Sequence, residues 1–248
     1  MRSLFLLGCL LFGTLCHAMA LQTVTEDWPP YNTLQNAQQA DGAYARVVRT
    51  ALQRSGLPSD IQVYPWARSM AQTSLRPDTL LFALARIASR EDQFIWIGKL
   101  DELSVYLWRR AGQQAGQHTL QQIRDCCSIC TIRRDASEEI LRQRGFDNQR
   151  LIVANSHADC LRLVRSGTVD YLALPYPPLQ MLLRQQGQTV DSLQRGPLLQ
   201  HYSVYLAASR GTRPRVIQSL RDELARMARS GESRKIITGT LLQAGIQP

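Results

Sequence analysis

Cys126, Cys127, Cys130 and Cys160 are the side chains of this sequence with the widest choice of chemistry. Cys127-Ser128-Ile129-Cys130 has the spacing of a redox motif. It falls in an apolar run that reads as strand, not at the helix N-terminus that activates a thiol. With His157 and Cys160 the same thiols could hold zinc or copper. In an oxidising compartment they become disulfide candidates. Adjacent Cys126 and Cys127 seldom bond to each other, so the favoured reading joins Cys160, facing the sheet from its helix, to one of the strand cysteines. Three pairings are possible, and neither a metal nor a cofactor is implied. Arg133-Arg134-Asp135 stands where a strand ends and a helix begins. Exposed amides and guanidinium groups there favour an anion, while Asp135 also suits the helix cap. Trp28, Tyr31 and Trp66 follow strand ends on one edge and form a candidate aromatic wall for a stacked ligand. Arg86 lies near the C-terminal end of a strand, where cleft residues belong. Arg68 either reaches the same cleft or pairs with a nearby carboxylate. His118, His157 and His201 sit in separate segments with no paired carboxylates or nucleophile beside them, so no catalytic constellation forms.

The elements that must position these residues follow from periodicity. Leu21 to Thr25 is a short strand ending in Trp28-Pro29-Pro30-Tyr31, where proline forbids helix. Tyr44, Val47, Val48, Ala51 and Leu52 recur at helical spacing, with Asp41 as cap and Gly56 as stop. Ile61 to Tyr64 is a second strand, followed by a short helix after Pro65. Thr79 to Ala85, apolar without alternation, suits a parallel strand buried on both faces. The order then repeats. Strands are expected at Ser104 to Trp108, Cys127 to Ile132, Leu151 to Ala154 and Val169 to Leu174. The helices between them are capped by Thr119, opened by the capping box at Asp135, and run from Ser156 to Ser166. Tyr202 to Ala207 is a last strand. A helix from Pro214 carries Val216, Leu220, Leu224 and Met227 on one face, and Gly231 separates it from a final helix. Two α/β units and a helical tail give two lobes between which the chain crosses twice, with a ligand cleft between them.

Arg2, the apolar run Leu4 to Leu15 and Ala18-Met19-Ala20 form a cleavable signal peptide over residues 1–20, too short to anchor in a bilayer. The expected location is therefore outside the cytoplasmic membrane, in the periplasm. The net charge of +9 rests almost wholly on scattered arginines, with Lys99 and Lys235 the only lysines. That pattern lacks the basic stripe with interleaved aromatics of a nucleic-acid surface, so nucleic acid is excluded and a preference for anionic partners remains.

The strings Thr25-Glu26-Asp27-Trp28-Pro29-Pro30-Tyr31, Tyr64-Pro65-Trp66-Ala67-Arg68, Arg86 through Arg90-Glu91 to Phe94, and Trp96-Ile97-Gly98 resemble the bacterial periplasmic solute-binding proteins of family 3. The likeness continues through Gly145-Phe146-Asp147-Asn148, Ser166-Gly167-Thr168-Val169-Asp170 and the closing helix around Gly231. The resemblance implies an α/β fold of periplasmic binding protein type II, each lobe a mostly parallel sheet flanked by helices, joined by a two-strand hinge. It implies lobe one over residues 21–102 and 202–248 and lobe two over 103–201. In amino-acid-binding members an arginine after the third strand grips the ligand carboxylate, and it aligns with Arg90, whose planar fork suits that task. Ala83 and Ala85 replace the small hydroxyl residues of that pattern, and the acid that pairs with the ligand ammonium falls near Pro175, beside Tyr176. A monomer is thus expected that binds a small, anionic or carboxylate-bearing solute and serves an ABC-type permease. A periplasmic sensory or regulatory role, or a dehydratase-like or wall-lytic enzyme on the same scaffold, is the alternative. No cofactor is implied.

Overall fold

The computed structural model describes residues 20–36, 39–112 and 118–247. All but the last residue of the expected signal peptide lies outside them. The chain opens with β1 (Gln22–Thr25) and, after the Trp28–Asn32 turn, β2 (Thr33–Asn36) and β3 (Gln39–Asp41). Helix α1 (Ala43–Arg54) buries Tyr44, Val47, Val48, Ala51 and Leu52, the five residues its spacing selects. Each such burial contributes roughly 1.5–3 kcal/mol for the larger side chains. Gly42, not Asp41, is the N-cap. Its φ of 113° is open to glycine, and a Cβ there would stand 2.6 Å from the carbonyl oxygen of Tyr31. Asp41 instead accepts hydrogen bonds from Nε and Nη2 of Arg46, both at 2.9 Å.

β4 (Ile61–Val63), α2 (Trp66–Leu75) and the wholly buried β5 (Thr79–Ala85) complete the first run. β1 lies between β4 and β5 and is parallel to both. Next come β6 (Ile95–Arg110), α3 (Leu120–Cys126), β7 (Ile129–Ile132), α4 (Ala136–Gln143), β8 (Leu151–Ala154), α5 (His157–Ser166), β9 (Tyr171–Pro175) and α6 (Tyr176–Gln185). β10 (Leu193–Ala208), α7 (Pro214–Arg229) and α8 (Glu232–Gln243) close the chain. β7 is parallel to β8 and β9. The strand order is β2-β3-β4-β1-β5-β10-β6-β9-β7-β8.

The two units are joined by β6 and β10, each 16 residues long and antiparallel along their length. At one end β10 flanks β5, and at the other β6 flanks β9. Strands expected at Ser104 to Trp108 and Tyr202 to Ala207 are therefore parts of much longer ones, each serving both sheets. The result is the two-lobed α/β fold. Helices α1, α7 and α8 pack together on the first lobe, while α4 and α5 cover the second. A core of Trp108, Cys130, Ile132, Leu161, Val164, Leu172 and Leu179 fills part of the second lobe.

Four local expectations are corrected. The hairpin β2–β3 and helix α6 have no counterpart in the sequence reading; Pro177 and Pro178 occupy the first turn of α6, where the missing amides cost nothing. Cys127 caps α3 and precedes the strand that was expected to begin there. The bridges are Cys130–Cys160 and, against expectation, Cys126–Cys127. Cys160 does bond to a strand cysteine, which leaves the two neighbours to pair with each other.

Candidate functional site

Helices and strands of both lobes converge where β1 ends, β5 ends and α4 begins. Glu26 follows β1 directly, and Trp28 follows in a turn held by Tyr31 N–H to Trp28 O at 3.0 Å and by Asn32 Nδ2 to Thr25 Oγ1 at 3.0 Å. Trp66 opens α2, Ala83 and Ala85 lie on β5, and Arg90 follows it. From the opposite lobe come Asp135 and Ser137 at the start of α4, His157 at the start of α5, and Ala173 and Pro175 on β9; Tyr202 comes from β10. Together these line a closed chamber with about 10 Å³ of free space, of the order needed by one water. A neighbouring cleft of about 460 Å³ shares Glu26, Trp28, Trp66 and His157 and adds Asp27, Tyr64, Asn155 and Leu182.

The lobes meet through a defined latch. Arg90, 1 % exposed, donates from Nε and Nη2 to Glu139 Oε1 at 3.0 and 2.7 Å. Its Nη2 also donates to the carbonyl oxygen of Arg134 at 2.8 Å, and that oxygen accepts a second bond from Trp66 Nε1 at 2.8 Å. Arg134 has a φ of 62°, in the left-handed region. Its backbone oxygen takes part in the latch while its side chain is exposed. The guanidinium of Arg90 also lies 5.8 Å from the centroid of the Trp66 ring.

Charge in the chamber is unbalanced toward acid. Glu26 makes no hydrogen bond or ion pair to a described residue. Burial, with Asp135 nearby, holds its pKa well above the usual carboxylate range, against the opposing pull of Arg90. Asp135 caps α4 by accepting from Ser137 N at 3.2 Å. Burial lowers the pKa of His157, with Asp135 working against it, and burial raises that of Tyr202. Trp28 Nε1 is buried with no partner among the described residues. Nη1 of Arg90 likewise makes no hydrogen bond to them. The arrangement offers two carboxyl groups, two indole rings and Nη1 of one guanidinium to a small polar molecule.

Of the residues singled out from the sequence, Trp28, Trp66, Arg90 and Asp135 are brought together. Tyr31 does not line the chamber: its ring stacks on Tyr44 at 4.2 Å in the core and stands 5.0 Å from the ring of Trp28, behind it. Arg68 lies over Tyr64 at 4.1 Å and is exposed. Arg86 pairs with Glu91, its Nε 2.9 Å from Oε2, and lies 5.3 Å from the rings of both Trp96 and Tyr205, outside the chamber. Tyr176 stacks on Trp108 at 5.9 Å, and its hydroxyl accepts from Gln180 Nε2. Glu26, Ser137, His157 and Tyr202 were not assigned to the cleft from the sequence. Glu26 stands two residues before Trp28 in the same strand-end string, but nothing in that string marks it as facing the cleft. The pairing of His157 and Cys160 about a metal does not form: Cys160 is bridged to Cys130 while His157 lines the cleft.

No family model and no curated protein matches the sequence. Solved structures do match. A histidine kinase sensor domain with similarity to periplasmic binding proteins superposes with a TM-score of 0.78 at 17% identity, covering 93% of this chain and 98% of that one. EhuB in complex with hydroxyectoine gives 0.76 at 17% identity, covering 91% and 90%. The arginine-, lysine-, histidine-binding protein ArtJ from Geobacillus stearothermophilus gives 0.77 at 11% identity, covering 92% and 96%. At these identities the likeness speaks to architecture, and with the two lobes, the paired long strands and the cleft already described, it establishes that this chain has the fold of the periplasmic solute-binding proteins.

Proposed function

We propose that this chain is an exported, periplasmic receptor that binds a small solute between its lobes without transforming it, lobe one comprising residues 21–102 and 202–248 and lobe two 103–201. The solute is a carboxylate-bearing zwitterion. Its cationic group lies between Glu26 and Asp135 against the faces of Trp28 and Trp66, and its carboxylate accepts from Nη1 of Arg90. The observation that carries this reading is the presence of unpaired Glu26 and the underused Arg90 in one chamber. A purely anionic solute fits less well, because Glu139 already occupies one side of the guanidinium. The chamber holds no more than a water as it stands, so the solute enters with the lobes parted and the latch re-forms around it or yields to it.

A thermal-shift screen across zwitterions, anions and cations tests the reading. A zwitterion present at ~100 times its dissociation constant should add about 2.7 kcal/mol of stability. Glu26→Gln and Arg90→Ala should each weaken its binding at least tenfold. No shift with any zwitterion, or equal binding by both variants, overturns the assignment. The similarity to a kinase sensor domain supports a second reading, delivery of the bound state to a membrane sensor instead of an ABC-type permease. Uptake of labelled solute that survives deletion of this chain would favour the sensor.

A further inference from the structure

The carboxyl end of α3 carries two adjacent cysteines joined to each other, absent from the lining of both the chamber and the cleft. The two bridges of this protein differ in kind. Cys130–Cys160 spans 30 positions, and both residues are essentially fully buried. The stabilisation a bridge gives by restricting the unfolded chain grows with the loop it closes. Cys126–Cys127 closes no loop beyond its own peptide, so that stabilisation is minimal and the fold does not depend on it. Cys126 is exposed and Cys127 half-buried, so a reductant can reach this bridge and not the other.

A third group stands beside the pair. A ring nitrogen of His118 and the two sulfurs all lie within 4.8 Å of one another. His118 enters just ahead of Thr119, whose capping box fixes the start of α3. Its Nδ1 lies 3.2 Å from the Tyr171 hydroxyl, the kind of outer hydrogen bond that orients a ligating imidazole and leaves Nε2 to a metal.

We propose that reduction of the Cys126–Cys127 bridge creates a site for a soft d¹⁰ cation, Cu(I), held by the two thiolates and His118 Nε2. A dithiol, from a thiol–disulfide oxidoreductase or a small reagent, supplies two electrons and two protons. Its own thiols become a disulfide, the Cys126–Cys127 sulfur–sulfur bond breaks, and each sulfur leaves as a thiol. Cu(I) then displaces both thiol protons to solvent and forms two copper–sulfur bonds and one copper–nitrogen bond, with no change in its oxidation state. Soft thiolates suit Cu(I) and zinc alike, and the three-ligand set decides between them: three ligands satisfy Cu(I), whereas zinc would require a fourth. A disulfide oxidant that accepts two electrons from the two thiolates, and is itself reduced to a dithiol, re-forms the Cys126–Cys127 bond and releases Cu(I) unchanged, so metal occupancy reports the redox state around the protein.

The test uses the whole mature chain, as isolated and after brief treatment with a small dithiol, titrated with Cu(I) against a chromophoric chelator. Alkylation and mass mapping identify the thiols released. Cys126 and Cys127 should be released alone, the reduced chain should take up one Cu(I), and the oxidised chain none. Cys126→Ser/Cys127→Ser should abolish uptake, and His118→Gln should weaken it at least tenfold while leaving the thermal unfolding of the oxidised chain unchanged. Uptake that persists in the double variant, an unchanged affinity in His118→Gln, release of Cys130 and Cys160 in place of the adjacent pair, or preferential uptake of Zn²⁺ would each overturn the proposal.

Discussion

Glu26 and Asp135 place two carboxyl groups beside a chamber with little room for water, and the consequence is a measurable dependence on pH. Burial and Asp135 raise the pKa of Glu26, so the native state holds a proton there that the unfolded chain has released. The associated stability is complete below the ordinary carboxylate value of about 4.3 and is lost as pH rises through the native pKa. His157 works in the other sense. Its lowered pKa favours the native state above about 6.5, and that stability is lost as pH falls toward its native value. Glu26→Gln should therefore flatten the fall in melting temperature above pH 4.5, whereas His157→Gln should flatten the acid side. An unaltered profile in Glu26→Gln would show that its carboxyl is not desolvated. The same residues show what a sequence conceals at this scale. Arg90 was legible because a family pattern surrounds it. Glu26 was not, since an acid after a strand looks like any solvated side chain until the opposite lobe covers it. Tyr31 misled for the converse reason: its position at a strand end is right, but its ring turns onto Tyr44.

At the level of elements, the start of α4 does double work, because its first turns supply both Asp135 to the chamber and Glu139 to the latch. Glu139 is 26% exposed on its side chain while Arg90 is 1% exposed. Removing the acid leaves a buried guanidinium with only a carbonyl partner. Glu139→Ala should accordingly lower stability by about 2–3 kcal/mol, discounted from the value for a fully buried pair because one partner reaches solvent. Urea unfolding measures it, and Arg90→Ala/Glu139→Ala should lose less than the sum of the single changes. Additive losses would mean that the pair does not act as a unit. The elements themselves were mostly readable: α1, β5 and α7 show unbroken patterns of 3.6 or continuous apolarity. α6 escaped because Pro177 and Pro178 interrupt its pattern, although prolines in a first turn are compatible with helix. β6 and β10 were truncated because a strand that leaves one sheet and enters another changes its burial pattern midway, as the 16-residue runs here do.

For the whole molecule, the lobes are connected by two hydrogen-bonded strands and by the latch across the chamber mouth. Register shifts interrupt the β6–β10 ladder between Leu198 and Gln200 and between Val204 and Tyr205, on either side of the crossing, and these are the natural places for the ribbon to bend. Small-angle scattering should show a larger radius of gyration for Glu139→Ala than for the native chain, with recovery when the solute is added. Equal radii would mean that the ribbon, not the latch, sets the spacing of the lobes. The sheet order carries one more consequence. β10 lies between β5 and β6, so the first lobe's sheet has an open seam until the tenth strand arrives from far along the chain. A chain that becomes available from its amino end would thus be unable to lock this lobe until β10 is present. The topology itself ties closure of the first lobe to the late arrival of its last strand.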